Sequence, residues 1–204
     1  MKNTRIPFFI LLLSAPIGVC GCEPPTPPTT ISGTIERWGR GVGQITAQVQ
    51  MGVMATGPIA SDGSFTITLP DEDTLAPFLT PADAADGCSG TVVVSPPGAA
   101  RGELSFGYTA GAAHGAPRLA HLVSGGTVID ETTVVYIYAD QDFTKVGEKL
   151  CGINKFKWDV SFKKGWNTIL RRTQGGRNLG SGLPPFLYTS SNGAISPDFV
   201  WWPI

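Results

Sequence analysis

The stretch Ala60-Ser-Asp-Gly-Ser-Phe-Thr-Ile-Thr-Leu-Pro70 decides the fold class. Phe65, Ile67 and Leu69 alternate with Ser64, Thr66 and Thr68, and a period of two is the mark of a strand with one buried face. Ser61-Asp62-Gly63 before it has the composition of a hairpin turn. Pro70 ends the run, because it has no N–H to give to a ladder. Upstream, Ile31, Gly33 and Ile35 alternate with Ser32, Thr34 and Glu36. The glycine-rich turn 37–43 separates them from Ile45, Ala47, Val49 and Met51, which alternate with polar partners. Residues 54–60 read as a short third strand, interrupted at Gly57-Pro58.

Downstream, Asp71 precedes Glu72 and Asp73, a capping residue followed by first-turn acids, which predicts a short helix. Pro77 and Pro81 limit it, and residues 82–86 suggest a further helical turn. Residues 91–95 and 102–110 read as strands, the second with Leu104, Phe106 and Tyr108 on one face. Residues 118–123 are too short to assign by period. Residues 132–139 have no polar face after Thr133, which predicts a central strand covered on both sides. Phe156, Trp158, Val160 and Phe162 alternate with Lys157, Asp159, Ser161 and Lys163. After the Lys164-Gly165 turn, residues 166–170 read as the returning arm of a hairpin. Residues 171–185 read as a polar, glycine-rich loop, and residues 186–189 and 198–204 end the chain. The expectation is an all-β, sandwich-type protein: residues 31–87 form a first module and residues 88–204 a second β-rich region. The two make one continuous sandwich or two small ones.

Composition agrees. Charged residues are only 15% of the chain, while Gly (26) and Pro (17) are numerous, as in a turn-rich β protein. A formal charge of −1 supplies no basic face, which argues against nucleic-acid binding.

The N-terminus carries a different kind of information. Lys2 and Arg5 precede a short apolar run to Leu13, broken by Pro7, and then Ser14, Ala15, Pro16 and Gly18. This is the n-region, h-region and small-residue exit of a secretory signal. The run is far below the ~18 apolar residues of a spanning helix. Val19-Cys20-Gly21-Cys22 resembles the bacterial lipobox, with an aliphatic residue three before Cys22 and a small one just before it. Cys20 stands at the middle position, where Ala or Ser is commoner. The alternative lipobox at Ile17-Gly18-Val19-Cys20 would put bulky Val at the small-residue position.

The resemblance implies that residues 1–21 are a signal peptide with an N-terminal signal helix. It further implies that Cys22 carries diacylglycerol and an acyl chain, palmitate among the candidates, and that residues 22–30 are a Pro/Thr linker. Two or more acyl chains hold a protein stably at a membrane. The exported protein would then sit at the bacterial membrane or envelope. With Cys20 and Cys22 so used, Cys88 and Cys151 remain, an even pair in an oxidising compartment. A disulfide between them closes a loop of about 60 residues, for which the chain-entropy model allows up to ~4 kcal/mol. The alternative is two separate buried thiols. Residues 31–70 are similar to transthyretin-like, or carboxypeptidase-regulatory-like, β-sandwich modules. The resemblance rests on Ile31-Ser-Gly-Thr-Ile35 and on the opening stretch Ala60 to Pro70. Such modules are mostly scaffolding or binding units, so it implies binding rather than catalysis.

Catalytic patterns are sparse. There is no GxSxG nucleophile elbow. Only His114 and His121 are available as bases, both in an Ala/Gly-rich stretch. They are seven residues apart without a third ligand nearby, which excludes a sequence-local zinc site. Asp140-Gln141-Asp142 and Asp71-Glu72-Asp73 are acidic turns, and Asp140 and Asp142 are the calcium candidates. Glycoside hydrolysis needs two carboxylates at a spatial rather than sequential spacing, so that pair is not readable here. Gly39-Arg40-Gly41-Val42-Gly43 leads into a strand rather than a helix and reads as a turn, not a phosphate cradle. Of five tryptophans, Trp158 and Trp166 fall in core register. Trp38, on a turn between arginines, and the adjacent Trp201 and Trp202 are the candidates for contact with a partner. The sequence thus predicts a lipid-anchored, non-catalytic binding or scaffold module without a cofactor, its partners the membrane and an envelope protein or glycan. A lipid-anchored hydrolase of envelope polysaccharide is the alternative.

Overall fold

The computed structural model describes residues 29–50, 52–84, 87–125, 128–176 and 186–203. The expected signal helix, Cys22 and nearly all of the linker lie outside the described residues.

The chain is all-β. Strands β1 (Thr30–Thr34), β2 (Gly43–Val49), β3 (Gly52–Ile59) and β4 (Ser64–Thr68) are followed by one helical turn, α1 (Glu72–Leu75), and a 3-10 turn at Ala76–Phe78. Then come β5 (Thr80–Pro81), β6 (Ser89–Ser95), β7 (Ala100–Ala110), β8 (Ala113–Gly115), β9 (Arg118–Gly125) and β10 (Val128–Ala139). The last strands are β11 (Phe143–Cys151), β12 (Asn154–Phe162), β13 (Gly165–Gly176), β14 (Leu187–Asn192) and β15 (Val200–Trp202). They hydrogen-bond into one path, β1-β4-β3-β2-β7-β10-β13-β14-β12-β11-β6, with β5, β8, β9 and β15 attached to its side. Among the described residues no helix is long and apolar enough to cross a membrane.

The strand predicted from Phe65, Ile67 and Leu69 is β4, and all three side chains are buried. The turn before it is built as its residues dictate. Gly63 adopts φ 87°, and the Asp62 carboxylate accepts hydrogen bonds from the Ser64 N–H and hydroxyl at 2.9 and 2.7 Å. This local chelation turns the backbone without any partner strand. At the far end of β4, Asp71 caps α1 by accepting from the Thr74 N–H at 3.0 Å, as its position before two acids predicts.

Strand β7 joins the two halves. Its residues 104–109 pair with β2, and its residues 101–103 pair with β10. The same strand edge of β10 takes β9 along residues 128–133, so β7 and β9 diverge from a common neighbour. Two cores result. Val134, Tyr136 and Tyr138 of β10 face a first core with Ile31, Ile35, Ile45, Ile59, Phe65, Ile67, Trp166 and Trp201. Val135, Ile137 and Ala139 face a second core with Phe143, Val160, Phe162 and Ile169. A strand apolar on both faces is therefore covered on both faces, as its residues require. The β1–β4 strands complete their core only with side chains from beyond residue 100.

Four details depart from the sequence expectations, the first being that Gly57-Pro58 does not interrupt β3, where they pair with Ile45 and Gln44. Strands β12 and β13 do not form a hairpin ladder; β14 lies between them, parallel to β12 and antiparallel to β13. The turn itself is real, held by the Asn167 amide and by Asp142 accepting from the Lys164 N–H at 2.8 Å. Beyond it the arms part, because Val160 and Phe162 belong to the second core and Trp166 to the first. The Trp166 Nε1–H donates to the Pro70 carbonyl at 3.0 Å. Residues 171–176, expected as loop, continue β13, each facing a residue of β10. Residues 82–84 form a single hydrogen-bonded turn, Ala84 N–H to Pro81 O, not a helical turn, consistent with the strand β5 immediately before it.

Candidate functional site

The seven strands β7-β10-β13-β14-β12-β11-β6 curl around the second core. At one end their inward side chains, Phe143, Phe162, Val160 and Ile169, close it with apolar bulk; Phe143 and Phe162 stack at 4.4 Å. Beyond them the space remains open as a trough of about 230 Å³. Alternation fixes which residues line it. Along β12, Phe156 and Trp158 point inward and Lys157 and Asp159 outward. Register places Phe156 beside Tyr188 and Trp158 beside Ser190 on β14, and Ser190 beside Arg171 on β13.

The aromatic wall is a stack. The Tyr188 and Phe156 rings lie 4.6 Å apart at 8°, and Phe156 and Trp158 lie 5.9 Å apart at 15°. The Lys145 ammonium, across the β11–β12 ladder from Val160, sits 4.8 Å from the centre of the Trp158 ring and donates to the Ala82 carbonyl at 2.8 Å. Contacts of this type between a cation and an indole are worth ~0.5–2 kcal/mol.

The opposite wall is charged. Arg171 binds Glu103 through two parallel hydrogen bonds of 2.9 Å, the bidentate geometry that makes guanidinium–carboxylate pairs strong. Arg101 approaches the same carboxylate at 3.5 Å, and its Nε–H is buried without a hydrogen-bond partner. Two guanidiniums thus share one carboxylate. Burial opposes ionisation of Glu103, but the hydrogen bonds and charge of Arg171, then of Arg101, outweigh it and hold its carboxyl below the ordinary value. At neutral pH Glu103 is therefore an acceptor with no proton to donate.

The residues singled out in the sequence have different fates. Cys88 and Cys151 are joined, their Cα atoms 4.6 Å apart, at the end of the β6–β11 ladder. Trp38 is not the exposed aromatic that its turn suggested. It is 8% exposed, edge-on to Tyr108 at 5.2 Å, with its Nε1–H donating to the Gly41 carbonyl at 2.6 Å. Flanking polarity did not keep it out of the core, because the turn folds back over β2 and β7. Trp201 is 4% exposed, held edge-on by Phe65 and Phe106 at 5.1 and 5.2 Å. Trp202 is half-buried on β15 opposite Arg118.

Asp140 accepts from the Ala100 N–H at 2.8 Å, and Asp142 accepts from Lys163 Nζ and the Lys164 N–H at 2.8 Å each. Both carboxylates of the calcium candidate thus serve the neighbouring turns, and among the described residues no three His, Cys, Asp or Glu converge. His114 is exposed, and the His121 ring lies 5.9 Å from Phe199.

No local sequence pattern groups Phe156 and Trp158 of β12 with Arg171 of β13 and Tyr188 of β14; only the strand pairing brings them together. Compared with protein-family models, with curated proteins and with solved structures, the chain matches none of them.

Proposed function

We propose that this chain is a non-catalytic binding module of the cell envelope, carried on a membrane by lipid on Cys22, and that it holds a small ligand in the trough between β7 and β12. The observation that carries the reading is the convergence in one cavity of an aromatic stack, an apolar floor and a charged wall. A few polar groups on an apolar lining are what fixes the orientation of a small ligand. Binding rather than turnover is supported by Glu103, which pairs with the two arginines of the trough rather than lining the cavity itself. Its pairing with Arg171 keeps it ionised and occupied. The resemblance of residues 31–70 to transthyretin-like modules points the same way. Export is supported by the signal-like start of the chain and by the Cys88–Cys151 disulfide, a bond suited to oxidising compartments.

The first test is the intact mass of protein extracted from membranes and alkylated without reduction. A mass beginning at Cys22, increased by diacylglycerol and acyl groups and carrying no alkyl label, is the expected result. A lipid-free mass, or one that retains Cys20, overturns the tethered reading. Turnover of envelope polysaccharide by the purified protein would replace the binding reading with that of a hydrolase.

A further inference from the structure

We infer that the trough selects a small organic carboxylate with a flat apolar ring, its head on Arg101 and its ring against the edges of the Tyr188–Phe156–Trp158 stack. This rests on the trough being the binding site proposed above, and it adds the class of ligand.

The charge argument starts from Arg101. Arg171 is already satisfied by its two bonds to Glu103, whereas Arg101 reaches the same carboxylate only at 3.5 Å. Charge-assisted hydrogen bonds of this kind are shorter, about 2.7–2.9 Å. The buried Nε–H of Arg101 has no acceptor. That donor is enclosed, but the Arg101 side chain is 28% exposed and lines the trough, so its terminal N–H groups can meet an anionic oxygen there. Arg101, Arg171 and the Lys145 ammonium all line the trough, while Glu103 pairs with the two guanidiniums, so the lining carries excess positive charge, which suits an anionic head.

The shape argument starts from the rings. Tyr188, Phe156 and Trp158 stack face against face, and Lys145 covers the Trp158 face. The stack therefore offers edges to the space beside it. Ring edges carry the positive end of the aromatic quadrupole, and they pair edge-to-face with another ring. A pyranose lies on aromatic faces, and here the faces of the central ring, Phe156, are taken by Tyr188 and Trp158. A cavity of about 150 Å³ admits benzene; the trough, at about 230 Å³, has room for a larger ring and its carboxylate.

The experiment titrates the full chain with 2-naphthoate and, separately, with the neutral 2-naphthamide, by calorimetry and by Trp fluorescence. The expected result is at least tenfold tighter binding of the acid. Arg101→Met should remove that preference, bringing acid and amide to within about twofold. Arg101→Lys should weaken the acid several-fold, which keeps the test decisive if Arg101→Met fails to fold. Phe156→Ala should weaken both probes. If the amide binds as well as the acid, or if Arg101→Met leaves the preference intact, the carboxylate class is wrong although the trough remains a site. If neither probe binds but an oligosaccharide panel does, with loss on Phe156→Ala, the ligand class is likewise overturned and the trough reading survives. If nothing binds, or binding ignores both Arg101→Met and Phe156→Ala, the trough reading falls together with the inference.

Discussion

Gly63→Ala tests whether the turn that opens β4 is as tightly specified as its surroundings imply. Gly63 has φ 87°, so any L side chain there adopts a left-handed backbone. That conformation alone costs roughly 1–2 kcal/mol. The space is also filled: a Cβ at Gly63 would stand 2.6 Å from the Trp38 Cβ and 2.9 Å from the Ile35 carbonyl oxygen. Neither neighbour yields easily. The Ile35 N–H donates to the Gly63 carbonyl at 3.1 Å, and Trp38 is buried against Tyr108. Overpacking of this kind adds ~1–3 kcal/mol. The total, about 2–5 kcal/mol, corresponds to a fall in Tm of roughly 2–4 °C per kcal/mol for a chain of this size.

The control is Gly41→Ala. Gly41 has φ 73° but nothing within 4 Å of a built Cβ, so it should show the backbone cost alone, ~1–2 kcal/mol. Urea unfolding of both variants, with the slope m checked for constancy, measures the difference. Equal losses at the two glycines would refute the claim that the turn is pressed against Trp38 and Ile35, and with it the packing assigned to that end of the first core.

Three other consequences are testable. Replacing both Cys88 and Cys151 by Ser should lower stability by up to ~4 kcal/mol, read from urea midpoints, because the bond spans a sequence separation of 63; a loss under ~1 kcal/mol would mean that the unfolded chain is little constrained by it. Trp166→Phe leaves the Pro70 carbonyl without its 3.0 Å donor in the core, so a loss of ~1–3 kcal/mol is expected, and a neutral variant would show that the carbonyl finds another partner. The Glu103 carboxyl is lowered in the folded state, so its contribution is present above its unfolded value near 4.5 and is lost as pH falls through the folded value. Stability measured from neutral pH into the acid range should therefore drop less steeply for Glu103→Gln than for the unaltered protein, and parallel curves would place the acid sensitivity elsewhere.

What the sequence made readable was whatever short-range chemistry decides. The β4 alternation, the Asp62-Gly63 turn, the Asp71 cap and the two apolar faces of β10 are each settled by side chains within a few positions, and each is found in place. Pairing partners are a different matter. Lys164-Gly165 is a real turn, yet β12 and β13 part after it, because Trp166 is drawn to Pro70 at a sequence distance of 96 residues. No local pattern encodes that choice; it is set by which of two cores each strand fills. The same holds for Trp38, whose arginine neighbours Arg37 and Arg40 suggested a solvated turn. Arg40 instead lies over the Tyr108 ring at 5.4 Å, so the cation that marked the turn as polar helps to cover the core.

The trough was hidden for a related reason. Its charged wall joins β7 to β13 and its aromatic wall joins β12 to β14, so neither appears as a cluster in the sequence. Arg101 and Glu103 stand two apart and so face the same side of a strand, but an Arg-x-Glu pair on a strand is ordinarily a surface ion pair of little consequence. It becomes a candidate site only because β7 changes sheets just after Glu103: residues 101–103 serve β10, residues 104–109 serve β2. The strand that carries the first core away from the second thereby leaves its own charged end at the mouth of the trough. A substitution that straightened this crossing would alter the placement of Arg101 without touching any residue of the trough. Gly102 lies at the crossing itself, where a Cβ would meet Leu79 and Val49 at 3.1 Å. Gly102→Ala is therefore expected to shift Arg101 relative to Glu103 at a modest cost in stability. If ligand binding depends on Arg101, that variant should lose affinity while Gly111→Ala, at a glycine with open space around it, should not.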